Sequence, residues 1–396
     1  MSMTKLRIGY IPLVDAAALL VAVDQGFAAD EGLHIELVRE VSWSNVRDKL
    51  NIGQFDAAHM LSPLPIASSL GIGHVRVPLV VPFNFALNGN AITVSPRLYA
   101  ALASFADGDL TDPKVSARAL ARVVEDRKTR GLEPLNFGMT FPFSNHNYQL
   151  RFWMAAGGID PDEDVRMVVL PPPYMVQSLT SGHIDCFCVG APWNSVAVES
   201  GVGHILHFGS EIMARATEKV LAAREQWAND HPETLAALLR ALAQAAAFIE
   251  DASNHQVVAP LVGERIDVSP ELVVRALTGV LKVAPDGTVR TDKNYILIGR
   301  DGASRPDLVQ AAWLYAQLVR WGQAPLSADA LENAQRVFRP DLYDAAVGTV
   351  PSPYDGVPPD GVGAFVGPDF VPGDIAGHLT AWNIKRSARP RLSIVR

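Results

Sequence analysis

Two stretches of this chain each order a β-prone apolar run, a helix and a second β-prone run, and that order restricts the fold more than any other feature. Residues 5–11 read as a strand, Asp15 to Gly26 as a helix with Asp15 placed as its N-cap and Gly26 past its end, and Leu33 to Arg39 as the next strand. Strands joined through a helix pair in parallel, because a hairpin needs only a tight turn. The second such unit is strand 137–141, helix 147–156, strand 165–170, helix 175–181 and strand 184–190. An α/β protein with largely parallel sheets follows. At 396 residues the chain exceeds one ordinary core and suits two domains with a common border.

Between the two units, a cap and a helix over 44–52 follow Trp43, then a short strand at 56–60 and a helix that starts near Pro63. Runs 77–83 and 90–94 read as strands flanking NFALNGN, whose Asn88-Gly89 pair is a turn signal. The chain is expected to cross to a second lobe at 90–94 and to return through ATEKVLAAREQW, which carries Lys219. Residues 99–131 read as helical around a loop at 107–113, and long helices at 232–250, about 270–282 and 306–321 complete the first lobe. The expected division is 1–94 with 218–396 as lobe I and 95–217 as lobe II. From about residue 340 the composition turns to Pro and Gly, an arm held on the body by Phe365, Phe370 and Trp382.

The stretch FGMTFPFSNHNYQLRFWMAAGGI, residues 137–159, is a strand, a polar loop and a helix start that Ser144 or Asn145 can cap. Free N–H groups at such a start favour an anion, and His146 stands in the first turn. A histidine there feels the helix dipole, which lowers its pKa, and a bound anion, which raises it, so anion binding is expected to take up a proton at His146.

Net charge is −8 without a basic block, which argues against a nucleic-acid surface but not against a small anion, for which local donors suffice. No run reaches the length of a membrane span, and MSMTKLRIGYIP enters a strand without a leader-like pattern, so a cytoplasmic location is expected. Cys186 and Cys188 lie on one face of a strand and read as small buried hydrophobes, since no second Cys/His cluster at zinc spacing occurs. Asp48 and Asp185 form no evident reactive pair, and G-x-S-x-G, HExxH and Walker sequences do not occur, so no catalytic role is expected.

Trp43, Asn90, His146, the prolines 171–173 and Lys219 all fall at strand ends or crossings. Each alone has an ordinary reading as core, turn or surface residue. Together they describe one cleft with a cation, amide and imidazole donors and an aromatic wall, in which donors exceed acceptors. That suits a small planar anion.

The stretches LRIGYIPLVDAAALLVAVDQGFAADEGL, SWSNVRDKL, FDAAHMLSPLP, NGNAITV, FPFSNHNYQLRFWMAAGGIDPDEDV, PPPYMV, IDCFCVGAPWN and EKVLAAREQW resemble the substrate-binding family for nitrate, nitrite and bicarbonate. The resemblance spans roughly residues 5–250. It implies the type II periplasmic-binding-protein fold, two α/β lobes with a ligand cleft between them. It further implies that Trp43 lines the anion pocket, His146 donates to the anion, Pro172 shapes the wall and Lys219 supplies positive charge. Bicarbonate-binding members look to carry an acidic residue at the lysine position together with calcium, so Lys219 points to nitrate or nitrite, with no cofactor. Asn90 stands where nitrate-transport members look to have glutamine. Among members, the chain looks most like the cytoplasmic nitrate/nitrite sensor of the NasS type, which implies an RNA-binding antiterminator partner of the NasT type, held without the anion and released with it. Two alternatives stay open: the binding component of an ABC transporter, and an enzyme of the thiamine-pyrimidine synthase group, which shares the fold but would need a Cys-rich iron stretch.

Overall fold

A computed structural model describes residues 3–349 and 362–386. In chain order its strands are β1 (Thr4–Tyr10), β2 (Leu33–Arg39), β3 (Ala57–Leu61), β4 (Leu79–Asn88), β5 (Asn90–Val94), β6 (Asn136–Met139), β7 (Arg166–Val169), β8 (Cys186–Gly190), β9 (His204–Phe208), β10 (Met213–Ala214), β11 (Thr217–Arg224), β12 (Val280–Lys282), β13 (Val289–Thr291), β14 (Ile296–Leu297) and β15 (Gly363–Ala364). Among the described residues they form two main sheets, six-stranded in the order β14-β4-β11-β3-β1-β2 and five-stranded in the order β7-β6-β8-β5-β9, and two small pairs, β10-β15 and β12-β13. The pairs β1·β2, β1·β3, β6·β7 and β6·β8 are parallel, and β11 and β5 run antiparallel to their neighbours. This is a mixed α/β architecture with two sheets.

One consequence of this topology places the site. β1 and β3 end, and the antiparallel β11 begins, at the same edge of the first sheet; β6 and β8 end and β5 begins at one edge of the second. The chain passes between the sheets at Gly89 and again between β9 and β11, so these two edges are drawn together. Ligands of open α/β sheets bind at such edges.

The Asn88-Gly89 pair therefore does not close a hairpin. β4 is longer than the run 77–83 suggested, and β4 and β5 belong to different sheets. Asn88 and Gly89 both have positive φ, 59° and 88°. The Asn88 side chain ties the two crossings together: its Oδ1 accepts from Ala216 N at 2.9 Å and its Nδ2 donates to Asn294 O at 2.9 Å. A Cβ on Gly89 would lie 2.9 Å from Ile296 Cδ1.

Beyond the sheets, the helix Leu308–Arg320 carries Trp313, which stacks on Phe152 of the helix Asn145–Ala156 with ring centroids 5.8 Å apart. The buried Arg320 guanidinium carbon lies 4.2 Å from the Phe152 ring centroid and 3.9 Å from that of Trp382. Phe370 meets Trp313 edge-on at 5.1 Å, Phe365 packs against the same core, and β15 pairs with β10 beside the second crossing. The later part of the Pro/Gly-rich arm thus packs on both sheets' helices; its stretch 350–361 lies outside the described residues. The sequence reading passed over the helices His255–Ile266 and Ala328–Val337. No helix among the described residues is long and apolar enough to cross a membrane.

Gly89→Ala should lower stability by about 1–3 kcal/mol, because it adds a Cβ both to a positive-φ residue and against Ile296. Gly26→Ala, at φ 86° with open space around its Cβ position, should cost less, about 1 kcal/mol. Equilibrium urea unfolding of both variants measures this, and equal losses would contradict the close packing at the crossing.

Candidate functional site

Where the two edges meet lies a fully buried polar cluster. The first sheet supplies Asp15 from the 3-10 turn Val14–Ala16, His59 on β3, Ser62 after β3, and Glu218 and Lys219 on β11; the second supplies Asn90 on β5 and Thr140, Asn145 and His146 after β6. Ser144 makes the last of these possible. Its Oγ caps the helix Asn145–Ala156 by accepting from Asn147 N at 3.1 Å, which turns the first-turn residues Asn145 and His146 inward.

Lys219 is the centre. Its Nζ donates to Asp15 Oδ2 at 3.0 Å and to Glu218 Oε1 at 2.7 Å, and it stands 5.3 Å from the centre of the Trp43 ring. Asp15 Oδ1 also meets His59 Nε2 at 2.9 Å. Asn90 Nδ2 donates to Glu218 Oε2 at 3.1 Å, and His146 Nε2 lies 3.1 Å from Glu218 Oε1, at an angle unfit for a hydrogen bond. His146 Nδ1 is 3.0 Å from Thr140 Oγ1. A ring proton on Nε2 lets the Thr140 hydroxyl donate to Nδ1 and leaves the ring N–H beside the Glu218 carboxylate without a hydrogen bond to it. Asn145 Nδ2 and Ser62 Oγ both donate to Thr217 O.

Two consecutive residues of a regular strand point to opposite faces, yet Glu218 and Lys219 both enter this cluster. The pairing of β11 with β4 slips between Thr217 and Lys219, and slips again between Lys219 and Val220. Such a bulge re-aims a side chain at the strand end. On the opposite side Gly209 keeps space open: a Cβ there would fall 1.7 Å from Asn90 Oδ1 and 2.9 Å from Gln149 Nε2.

Burial sets the charges. It would raise the Asp15 carboxyl, but the Lys219 charge and the His59 hydrogen bond more than reverse this, and its pKa falls to about 2. Burial also raises Glu218, and here Lys219 offsets only part of the shift. Lys219 would be lowered by burial, and the Asp15 and Glu218 carboxylates raise it instead. For His146, burial and then the Lys219 charge hold the imidazole well below its ordinary value, so it is neutral near pH 7.

Two expectations change accordingly. Without an anion in the site His146 does not carry a charge near pH 7, because it is buried and the Lys219 beside it is an ammonium. Nor do donors exceed acceptors: Asp15 and Glu218 already engage Lys219. Asp15 is also no helix cap. It makes no capping hydrogen bond and faces the cluster instead. Trp43, Asn90, His146 and Lys219 meet here, with Trp43 opening the helix Trp43–Asn51. Pro172 is buried in the 3-10 turn Pro172–Tyr174 beyond the edge strand β7, and no hydrogen bond, ion pair or ring contact joins it to the cluster among the described residues.

Cys186 and Cys188 are buried free thiols whose pKa burial raises, and Cys188 Sγ donates to Gln149 Oε1 at 3.5 Å. Asp48 pairs with Arg47 and Asp185 with Arg97, away from the cluster. The described residues contain no group of three or more His, Cys, Asp or Glu able to hold a metal ion. Calcium does not fit the cluster either, since the Lys219 ammonium lies between the two carboxylates a cation would use. A surface hollow of about 690 Å³ against Tyr10, Asp24, Arg39 and Arg265 includes none of these groups in its lining.

Two sheets joined by paired crossings, with a buried polar site between their edges, define a periplasmic-binding-protein fold. The chain belongs to the NMT1-like family, whose model matches residues 2–263. It is 30% identical over 353 residues to the nitrate/nitrite binding protein NrtA of Nostoc sp., covering 87% of this chain and 76% of that one. It is 34% identical over 344 residues to the bicarbonate transport ATP-binding protein CmpC of Synechococcus elongatus, covering 86% of this chain; it spans about half of that relative, 49%. The crystal structure of the periplasmic nitrate-binding protein NrtA from Synechocystis PCC 6803 superposes with a TM-score of 0.86 at 26% identity, over 96% of this chain and 99% of that one.

Asp15→Asn should destabilise the fold by about 3–5 kcal/mol at pH 7, as removal of one member of a buried ion pair does. A carboxyl with a depressed pKa contributes stability that is present above its ordinary pKa near 3.8 and lost as pH falls towards about 2. The parent should therefore lose more stability across that window than the variant, in which the other carboxyls of lowered pKa still titrate. Urea unfolding at pH 7, 4 and 2.5 decides, and parallel curves for the two proteins would contradict the pairing.

Proposed function

We propose that this protein binds a small planar oxyanion, nitrate or nitrite, as the substrate-recognition component of an import system. The observation that carries the reading is the convergence of Lys219 Nζ, Asn90 Nδ2 and His146 Nε2, from both sheets, within 2.7–3.1 Å of the oxygens of one trigonal group, the Glu218 carboxylate. Lys219 and Asn90 already hold a planar carboxylate and the unpartnered His146 Nε2 stands beside it, a set of donors suited to a planar oxyanion. The relatives named for nitrate, nitrite and bicarbonate support the anion class, and the basic Lys219, with the poor fit to calcium, favours nitrate or nitrite over bicarbonate. Trp43 supplies the wall, and Pro172 a more distant part of it.

A second reading rests on the resemblance to the NasS type: a cytoplasmic nitrate/nitrite sensor that holds an RNA-binding antiterminator and releases it on anion binding. The acidic chain, at −8, fits a partner that itself contacts the RNA. Both readings use the same closure. A four-atom anion changes the remote surface only by its differential affinity for one arrangement of the lobes.

Isothermal titration with nitrate, nitrite and bicarbonate should give saturable binding of nitrate or nitrite without added calcium. Lys219→Glu should weaken it more than tenfold, since a charge-assisted hydrogen bond is worth about 1.5–3 kcal/mol. Circular dichroism checks that the variant folds. No heat with any of the three anions would overturn the reading, and co-purification of an antiterminator that millimolar nitrate releases would favour the sensor over the import component.

A further inference from the structure

Glu218 holds the position that the proposed function gives to the anion. Its carboxylate is a planar group of two oxygens on a trigonal carbon, Lys219 and Asn90 donate to it, and the His146 Nε2 corner faces it. It is there because of the bulge in β11, which turns it to the same cluster as Lys219. Two anions cannot share these donors: within a buried site, like charges at hydrogen-bond separation force one of them to be neutral.

We propose that Glu218 is an internal rival for the anion, which gains the donors of Lys219, Asn90 and His146 only as Glu218 takes a proton from solvent, so that the site binds one anion together with one proton. The inference rests on the anion-binding reading and makes Glu218 its specificity-determining residue. A neutral carboxyl can keep one oxygen near Lys219 and turn its O–H towards the anion as a further donor.

Every other titratable group around Glu218 is unsuited to the proton. On its own strand Lys219 is raised by its two carboxylates. Asp15, on the turn after β1, is held down near pKa 2, and His59 on β3, hydrogen-bonded to Asp15, is lowered by burial. His146, on the helix after β6, is lowered well below its ordinary value, with the uncharged Asn145 beside it. Cys188 on β8 and Tyr295 before β14 are both raised by burial and stay neutral. Glu218 is the one carboxyl among these shifted towards its neutral form. The sign follows: a bound anion raises Glu218 further, protons are taken up on binding, and affinity falls as pH rises above the pKa that Glu218 has before the anion binds.

The test is nitrate titration of the full chain between pH 6 and 9 in buffers of different ionisation enthalpy, for the parent and for Glu218→Gln, whose amide has the same shape and no charge. In the parent, Kd should rise by up to about tenfold per pH unit, with buffer-dependent heats that report uptake of about one proton per nitrate. Glu218→Gln should bind nitrate at least tenfold tighter than the parent at pH 8, with a flat pH profile. Nitrate binding by the parent with a flat profile and no proton uptake overturns the inference and leaves the anion reading intact. Weaker binding by a folded Glu218→Gln also overturns it. If Glu218→Gln does not fold, proton uptake by the parent decides alone. Failure of both proteins to bind nitrate, nitrite or bicarbonate at any pH counts instead against the anion reading.

Discussion

A lysine ammonium taken fully out of water is tolerated only where its charge is met at once, and Lys219 is met by Asp15 from one turn and by Glu218 from its own bulged strand. Most of what is distinctive in this molecule depends on that arrangement. It draws a neutral histidine, two asparagine amides and a tryptophan face around one buried point. It also gives the border between the sheets a polar seam with a defined geometry, in place of an apolar contact that could slide.

The backbone is shaped to keep that point between two bodies. Positive φ at Asn88 and Gly89 lets the chain leave one sheet and enter the other within a single residue, and the Asn88 side chain fastens the return crossing at Ala216. The later part of the C-terminal arm completes the enclosure from outside, through Trp382 and Phe370 against Phe152, Trp313 and Arg320. Lys219 from one sheet and Asn90 from the other hold the two oxygens of the same carboxylate, so a change at the cluster acts on how the sheets meet. In the proposed function, that is what would link a small ligand to a change of shape.

Much of this was legible in the sequence, for definite reasons. Strand-helix-strand order around residues 5–39 and 137–190 sets parallel pairing, and residues at strand ends in such sheets converge, so Trp43, Asn90, His146 and Lys219 could be grouped before any distance was known. Glu218 could not. Alternation along TEKVLAAR places adjacent residues on opposite faces, and the bulge that breaks the alternation depends on the register with β4, which is a tertiary property. Asp15 was misread because an acidic residue before an apolar helix is the ordinary form of a cap, and only the remote Lys219 gives it another role. The one available signal was an adjacent Glu-Lys pair at the start of an otherwise apolar strand. The strength of the downward shift at His146 was not legible either, because it depends on burial and on a lysine 73 positions away in the chain.

We place the anion at the cluster between the sheets, where Glu218 stands. A crystal structure of the protein grown with nitrate tests this most directly. Nitrate should lie within hydrogen-bond distance of Lys219 Nζ, Asn90 Nδ2 and His146 Nε2, with the Glu218 carboxyl withdrawn from at least the Asn90 amide. Nitrate bound elsewhere, with Glu218 still 2.7 Å from Lys219 and 3.1 Å from Asn90, would contradict it.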